Sequence, residues 1–522
     1  MAAESSLVQS AAWRLASTVT LTLVSLVTVP VFTRLLGFEQ WGLLVLFQAA
    51  IAPLALLDLG IGTATVKYVA EALGRGDREE ATKLVQTTLV FNLLIGASGA
   101  LAIALCAGWL ASAVFAIPPA QQQLATAGFR LMGLSWFGGI VGATCTGVLT
   151  AHRYFGLASR LRTVAGLGSG LVGILTVVGG GGLFQVVIAQ TAVSLTMAAV
   201  WFASASSLLP GIRALPRWYH ASFRKCFAFG SWQALASAGG FLTSWSDRYV
   251  LGINFPPALV GVYAIALSLT SAAYGAFHDM GEVLFPAVSQ QQGAGNLGGA
   301  RRLSIQAGWA LSTVFAVASA VIATVGGDFI ALWITPEAAA LGTPALRLLS
   351  VAGILGMAIT GPYFFCLGIG RSRLLAGSSL LTGFVVCGLG VALAPILGLS
   401  GVALALVGGG LAQWLVVLLI QRRVYRPDVQ LAEFALHIWA PAVSGVAVLA
   451  LLVTAHDALR PSSTWARLVL ETIAFVLLAA ALQFGVNELL PGGRQRRSLL
   501  GALLAPLGIR LQSSRSPAAP PE

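Results

Sequence analysis

The sequence predicts an all-α membrane protein that crosses the bilayer many times. Of its 522 residues, 57% are hydrophobic and only 9% are charged, and the mean hydropathy is +0.86. A helix that spans the bilayer needs about 20 apolar residues, and the chain holds about fourteen runs of that kind. An even number of spans places both termini on one side of the membrane.

The apolar runs follow one another with short polar breaks. In chain order, the predicted helices 1 to 14 cover 10–33, 41–64, 84–110, 124–150, 156–178, 182–209, 226–250, 258–287, 303–326, 341–368, 372–394, 397–420, 431–455 and 465–490. No Lys or Arg precedes the first run, so we expect a retained helix rather than a cleaved signal peptide.

The chain also contains an internal repeat. A gapless shift of 219 positions aligns Trp13 with Trp232, Gly42 with Gly261, Gly62 with Gly281, Gly74 with Gly293, Gly76 with Gly295 and Leu84 with Leu303. The first copy starts at helix 1 and the second at helix 7. Since an even number of helices separates them, both copies run in the same direction through the membrane, one of the two arrangements that transporters use.

The repeat divides the chain into predicted domains. We expect an N-terminal lobe at 1–209 (helices 1–6), a cytoplasmic linker at 210–225 and a C-terminal lobe at 226–422 (helices 7–12). Two extra helices, 13 and 14, occupy 423–490, and a partly disordered cytoplasmic tail follows at 491–522. The two parallel six-helix lobes are expected to surround a central cavity.

The distribution of basic residues orients the chain. One set of loops and the tail carry 23 of the 30 Lys and Arg residues. Because cytoplasmic loops are enriched in Lys and Arg, both termini are predicted to be cytoplasmic. The formal charge of +12 is therefore an orientation signal with attraction to anionic lipid, and no nucleic-acid partner is expected.

Several functional classes lack their sequence features. The chain has no G-x-x-x-x-G-K-[ST] motif, no long external loop and no spacing that suggests a nucleophile beside a base, so we predict that it is not an enzyme. Its five cysteines are isolated, and no C-x-x-C occurs. Neither a metal site nor a cofactor is predicted.

Arginines within or beside the spans are the candidate substrate-binding residues of the cavity: Arg14, Arg34, Arg130, Arg248 and Arg347. Arg130 and Arg347 occupy similar positions at the outer starts of helices 4 and 10. Guanidinium groups bind pyrophosphate through paired hydrogen bonds. The competing interpretation is that these long side chains extend to lipid headgroups.

Acidic residues within the spans are candidates for a gate or for ion coupling. Asp58 lies about 17 residues into helix 2, roughly 25 Å from its outer end. Its repeat position, 277, adjoins His278 and Asp279 in helix 8, and Glu282 shares their helix face. Carboxylates beside a histidine suit a proton- or cation-responsive gate. The competing interpretation is that these groups cap helix ends.

Asp247 and Arg248 are a further gate candidate near the outer end of helix 7. Adjacent residues diverge by about 100° on a helix, so we expect each to find a partner on another helix. A gate and a plain interhelical contact both remain open. Glu471 is expected to find a partner within helix 14.

Three stretches resemble a known family. They are L-G-F-E-Q-W-G-L at 36–43, L-L-D-L-G-I-G-T-A-T-V-K-Y-V-A-E at 56–71 and W-S-D-R-Y-V-L-G-I at 245–253. They resemble bacterial polysaccharide transporters of the O-antigen flippase type, within the multidrug/oligosaccharidyl-lipid/polysaccharide exporter superfamily. The resemblance covers helices 1 to 3 and 7 to 9.

The resemblance implies transfer of an undecaprenyl-pyrophosphate-linked oligosaccharide from the cytoplasmic to the outer leaflet of a bacterial inner membrane, by alternating access. The expected partners are this lipid-linked oligosaccharide and the bilayer, with glycan polymerase machinery as a further candidate. The alternative within transport is a cation-coupled exporter of small amphiphilic compounds. A membrane-embedded glycan polymerase or ligase, and a non-transporting scaffold, are alternatives from other classes.

Overall fold

The computed structural model describes residues 20–152, 154–209, 217–282, 284–426, 429–459 and 464–489. All regular secondary structure in these ranges is helical, and eleven helices there are long and apolar enough to cross a membrane. The predicted class, an all-α protein with many membrane spans, is confirmed.

The described residues of the first half of the chain form seven α-helices. They are α1 (Thr20–Leu35), α2 (Phe38–Ile51), α3 (Ile61–Gly74), α4 (Arg78–Trp109), α5 (Gln122–Ala151), α6 (Phe155–Val178) and α7 (Leu183–Leu208). Short 3₁₀ segments occupy Ala52–Asp58 and Pro119–Gln121, and a π-helical turn, Leu110–Val114, extends α4.

Nine further α-helices follow. They are α8 (His220–Asn254), α9 (Pro257–Gly281), α10 (Leu284–Gly293), α11 (Leu297–Trp333), α12 (Pro336–Met357), α13 (Thr360–Gly368), α14 (Ser372–Ile420), α15 (Leu431–Asp457) and α16 (Trp465–Leu489). A π-helical turn, Gln421–Tyr425, extends α14.

Helix α14 contains two spans. Its 49 residues would extend for about 74 Å if straight, more than twice the bilayer's hydrocarbon thickness of about 30 Å. Gly398, with φ 61° and ψ −137°, interrupts it where predicted helices 11 and 12 meet. Helices α1 and α8 lie in the places of predicted helices 1 and 7, but neither is among the eleven helices that are long and apolar enough to cross a membrane, so the number of fourteen spans stays a prediction.

The prediction of one unbroken helix at 41–64 is wrong. Helix α2 ends at Ile51, and a 3₁₀ segment follows it. Leu59 and Gly60 then have φ values of 50° and 70°. Two successive left-handed residues cannot continue a right-handed helix, so α3 starts afresh at Ile61. The predicted helix 258–287 is likewise too long, because α9 ends at Gly281.

The repeat is visible in the backbone. The turn after α3 and the turn after α10 both place a glycine in the left-handed region, Gly76 with φ 76° and Gly295 with φ 75°. The next residue caps the following helix in both copies. Asp77 accepts the backbone N–H three residues on at 2.8 Å, and Asn296 does the same at 2.9 Å. The shift of 219 residues therefore aligns turns of the same backbone conformation as well as identical residues.

The chain forms two compact units. One comprises Met1–Ser268, Trp333–Ala345 and Leu375–Ala412, and the other comprises Leu269–Leu332, Leu346–Leu374 and Gln413–Glu522. The predicted lobes at 1–209 and 226–422, and the cavity between them, remain a prediction.

Two glycines of the first unit make a reciprocal contact. A Cβ at Gly42 would lie 1.7 Å from the carbonyl oxygen of Pro257, and a Cβ at Gly261 would lie 2.8 Å from that of Phe38. Positions 42 and 261 are repeat partners, and so are 38 and 257. A contact in which each copy presents the same surface to the other is what a two-fold axis produces. The starts of α2 and α9 therefore pack about a local pseudo-two-fold axis.

In the second unit, buried polar groups connect the two extra helices to α11. The indole N–H of Trp309, on α11, donates to Asn487 Oδ1 on α16 at 3.2 Å. Gln483 Nε2, also on α16, donates to the carbonyl oxygen of Pro441 on α15 at 2.9 Å. Hydrogen bonds of this kind join helices where lipid offers no partner.

Candidate functional site

The end of α9 gathers three of the predicted gate residues. One ligand-type atom from each of His278, Asp279 and Glu282 lies within 4.8 Å of the other two, and all three side chains are half-buried. Glu282 follows the last helical residue, and its backbone N–H donates to the carbonyl oxygen of His278 at 3.2 Å. The structure thus brings these three side chains together.

Aromatic rings surround the imidazole of His278. The ring of Tyr274 stacks on it at 5.9 Å between centroids, and the rings of Phe364 and Tyr363 lie at 5.2 and 6.3 Å. Rings exclude water and so strengthen the interaction of the nearby carboxylates with a bound charge. This group, the α9 acid–histidine cluster, has the donors needed to hold a proton or a small cation.

Asp58 has a different environment. Its two carboxylate oxygens accept the backbone N–H of Gly62 at 3.2 and 3.3 Å, across the break between the 3₁₀ segment and α3. An acid at a helix N-terminus satisfies an unpaired N–H and meets the positive end of the helix dipole. The geometry matches the capping interpretation.

The expectation that Asp247 and Arg248 find partners only on other helices is wrong. Arg248 Nη1 lies 3.1 Å from Asp247 Oδ1, and the backbone N–H of Arg248 donates to the same oxygen at 2.8 Å. The 100° divergence applies to the Cβ directions, but an arginine is long enough to curl back. Asp247 is buried beside Tyr263, and the guanidinium of Arg248 lies 4.6 Å from the Trp245 ring centroid.

Arg34 caps a helix end within the first unit. Its Nη2 donates to the backbone carbonyl of Trp333, the last residue of α11, at 2.9 Å. The indole of Trp333 donates in return to the carbonyl oxygen of Leu26 on α1 at 3.0 Å. A cation at a helix C-terminus satisfies carbonyls that lack helical partners.

Arg347 forms an ion pair within the second unit. Its two terminal nitrogens meet the two carboxylate oxygens of Asp457 at 2.5 and 3.0 Å. This paired geometry is the one that a guanidinium would use for a pyrophosphate. An anionic ligand would therefore have to displace Asp457.

Arg130 is exposed on α5 and makes no ion pair with any residue that the structure describes. Arg14 lies outside the described residues. Of the predicted cavity arginines, Arg130 is thus the one whose guanidinium remains available to an anion in the described part of the chain.

Sequence reasoning missed one cluster. Asp328 on α11, His456 on α15 and Glu471 on α16 also place their ligand-type atoms within 4.8 Å of one another. The available signal was a lone aspartate near the end of an apolar run and a histidine near the end of another. The expected partner of Glu471 is confirmed as Arg467, one helical turn earlier, with Nε–Oε1 at 2.7 Å.

Solved structures share this fold. An inward-facing multidrug resistance transporter of the MATE family in the MOP superfamily is 16% identical, with TM-score 0.66 over 80% of this chain and 98% of that one. The lipid II flippase MurJ, in an inward closed conformation, is 13% identical, with TM-score 0.67 over 90% and 98%. A MOP superfamily transporter from Pyrococcus furiosus is 17% identical, with TM-score 0.54 over 80% and 97%.

The fold is therefore that of MOP superfamily transporters. Residues 7–292, more than half of the chain, match the family described as polysaccharide biosynthesis protein. The chain belongs to this family. No curated protein matches it.

Proposed function

We propose that the protein moves an undecaprenyl-pyrophosphate-linked oligosaccharide from the cytoplasmic to the outer leaflet of a bacterial inner membrane. The observation that carries this proposal is the match to a polysaccharide biosynthesis family in a chain with the fold of MOP transporters. The similarity in fold to a lipid II flippase supports it, because that protein also handles a lipid-linked substrate.

The substrate sets the physical problem. Its sugars and pyrophosphate must cross hydrocarbon, and an unpaired anion there costs far more than a hydrogen-bonded one. Arginines that face a wet path between the lobes would offset this cost while the polyprenyl tail stays in lipid. Arg130 is the first candidate contact, since it is exposed and unpaired within the described residues. Arg14, Arg34, Arg248 and Arg347 remain further candidates.

The proposed cycle alternates between two access states. The basic loops orient the termini toward the cytoplasm, so the cavity would load from the cytoplasmic leaflet and empty on the outer side. The α9 acid–histidine cluster would bind the coupling ion or proton, and Asp58 and Asp247 are the weaker gate candidates because each already has a local structural partner.

The same cluster also favours the second candidate function, a cation-coupled exporter of small amphiphilic compounds. A carboxylate pair beside a histidine is suited to ion coupling whatever the cargo. The two functions differ in what they move, and a direct transport assay separates them.

The test is leaflet exposure in proteoliposomes. Undecaprenyl-pyrophosphate carrying a short glycan is incorporated, and an impermeant glycan-modifying enzyme measures the fraction that reaches the outside. Protein-dependent transfer is expected, with a slower rate for Arg130→Gln than for Arg467→Gln, a control arginine outside the proposed path.

Equal exposure in protein-containing and empty liposomes would overturn the flippase assignment. If transport of a fluorescent amphiphilic cation were instead driven by an imposed proton or Na⁺ gradient, the exporter function would replace the flippase function. Equal rates for the two arginine variants would remove Arg130 from the path.

A further inference from the structure

A second polar cluster lies away from the proposed transport residues. It joins α11 to the two extra helices through Asp328, His456 and Glu471, whose ligand-type atoms all lie within 4.8 Å of one another. Asp328 and His456 are buried, with 8% and 7% of their surfaces exposed. The burial is notable because each of these groups can carry a charge, and buried charges are normally paired or bound to metal.

One nitrogen of the His456 imidazole lacks a hydrogen-bond partner in the described part of this environment. His456 Nε2 is buried and has no hydrogen-bond partner among the described residues, although Asp328 Oδ2 lies 3.3 Å away. The two atoms approach each other without hydrogen-bond alignment. A buried nitrogen that points toward carboxylate oxygens without bonding them has the arrangement of a ligand that awaits a cation.

The spacing suits a transition-metal ion. Zinc–nitrogen and zinc–oxygen bonds of about 2.0–2.2 Å in a tetrahedral site place neighbouring ligand atoms roughly 3.3–3.5 Å apart. The Nε2–Oδ2 distance of 3.3 Å meets this value. One imidazole and two carboxylates form a three-ligand set that leaves a fourth position for water, and nitrogen with oxygen ligands suits Zn²⁺, Co²⁺ or Ni²⁺.

The surrounding residues support such an ion. Arg467 Nε donates to Glu471 Oε1 at 2.7 Å, as outer-shell partners of metal-bound carboxylates do. Two carboxylates and one guanidinium have a net charge of −1, which attracts a cation. The ring of Phe475 packs edge-on against the imidazole, with 5.6 Å between the ring centroids.

The cluster lies near the ends of its three helices. His456 is in the last turn of α15, and Asp328 and Glu471 lie about 8 and 9 Å from the nearer ends of α11 and α16 by the rise per residue. We propose that Asp328, His456 and Glu471 bind one divalent transition-metal ion, of which Zn²⁺ is the prime case, and that this ion fastens the two extra helices to α11.

The test uses the full-length protein in detergent, purified without a histidine tag and stripped with a chelator. Titration with Zn²⁺ is followed by calorimetry, and Co²⁺ is used as an absorbing probe. We expect one equivalent of Zn²⁺ to bind, the unfolding midpoint to rise with it, and Co²⁺ to give a visible spectrum of low coordination number.

His456→Ala and the near-isosteric Asp328→Asn should each lower the affinity about tenfold or more, the range seen when metal ligation is perturbed. His437→Ala, on the same helix but outside the cluster, should bind as the unaltered chain does. Glu282→Gln removes a carboxylate of the α9 acid–histidine cluster and tests whether the bound Zn²⁺ lies there instead.

Absence of stoichiometric Zn²⁺ binding by the unaltered chain would overturn the proposal, whatever the variants do. Undiminished binding by folded Asp328→Asn protein, or loss of binding in Glu282→Gln, would do the same. None of these results depends on transport, so they leave the proposed function untouched.

Discussion

The turns after α3 and α10, at equivalent positions of the two repeat copies, have the same backbone conformation but different charges. Residues 71–80 of the first copy correspond to 290–299 of the second, and both turns have the same left-handed glycine and the same side-chain cap. In the first copy, Arg75 bonds Glu71 and Glu80, and Glu80 also meets Lys225. The equivalent positions in the second copy are Gln290, Ala294 and Gly299, which carry no charge.

The acids upstream of the helices that lead into these turns differ as well. Asp58 caps α3 in the first copy, whereas the second copy gathers His278, Asp279 and Glu282 among aromatic rings. The comparison teaches that the two copies keep the same backbone and cap in this turn while their polar residues differ. The first copy uses its acid to stabilise a helix, and we infer that the second uses its acids for transport.

The largest expected effect concerns the contact that the two copies share. Gly42→Ala would place a methyl group 1.7 Å from a backbone carbonyl, against 2.8 Å for Gly261→Ala. Because a carbonyl oxygen cannot rotate away as a side chain can, we expect Gly42→Ala to destabilise the protein by about 3 kcal/mol, the upper end of typical overpacking costs. Gly261→Ala should cost less, and both shifts are measurable as thermal unfolding midpoints.

Gly275→Ala is the matched control for this pair. It lies on α9 with no atom within 4 Å of the added Cβ, so the usual gain of about 0.5–1 kcal/mol for removing a helical glycine is expected. Equal midpoints for Gly42→Ala and the control would contradict the close contact.

The next effect distinguishes the roles of Glu282 and Asp58 in transport and stability. Glu282→Gln should slow leaflet transfer about tenfold, equivalent to about 1.4 kcal/mol in the barrier, because the amide cannot take up a proton or hold a cation. Asp58→Asn should lower the unfolding midpoint and leave the transfer rate within about twofold. A transport defect of Asp58→Asn at unchanged midpoint would show that the first copy also takes part in coupling.

A smaller effect tests the two helix caps that follow the equivalent turns. Asp77→Ala and Asn296→Ala each remove a side-chain cap, which is worth about 1 kcal/mol. Since the two caps have nearly the same geometry, we expect the losses to agree within a few tenths of a kcal/mol. Chemical unfolding of the two variants measures this difference. A large loss of unfolding free energy in only one variant would mean that the two caps do not stabilise their helices equally.

The smallest effect concerns the charge network of the first copy. Glu80→Gln removes its bonds to Arg75 and Lys225, but such pairs near the surface contribute little and are screened by salt. A slight fall in the unfolding midpoint at low ionic strength should vanish at high ionic strength. A fall that persists in high salt would instead indicate that Glu80 has a packing role.

The sequence predicted what depends on periodicity and spacing. Apolar runs gave the helices, the repeat register gave the paired turns, and helical spacing placed His278 and Glu282 on one face. The break at Leu59 was not predictable, because a non-glycine residue in the left-handed region has no sequence signature. The pairing of Arg347 with Asp457, 110 positions apart, depends on tertiary packing that one sequence does not encode locally.

The reciprocal contact of Gly42 and Gly261 bears on the protein's ancestry. A surface that matches its own copy needs only one set of residues, so an ancestor of a single repeat with this glycine would already carry both sides of the contact. Two such chains would associate before their genes were fused. After fusion, each side of the contact would mutate independently. The different distances from an added Cβ to the facing carbonyl oxygen, 1.7 Å at Gly42 and 2.8 Å at Gly261, fit such divergence.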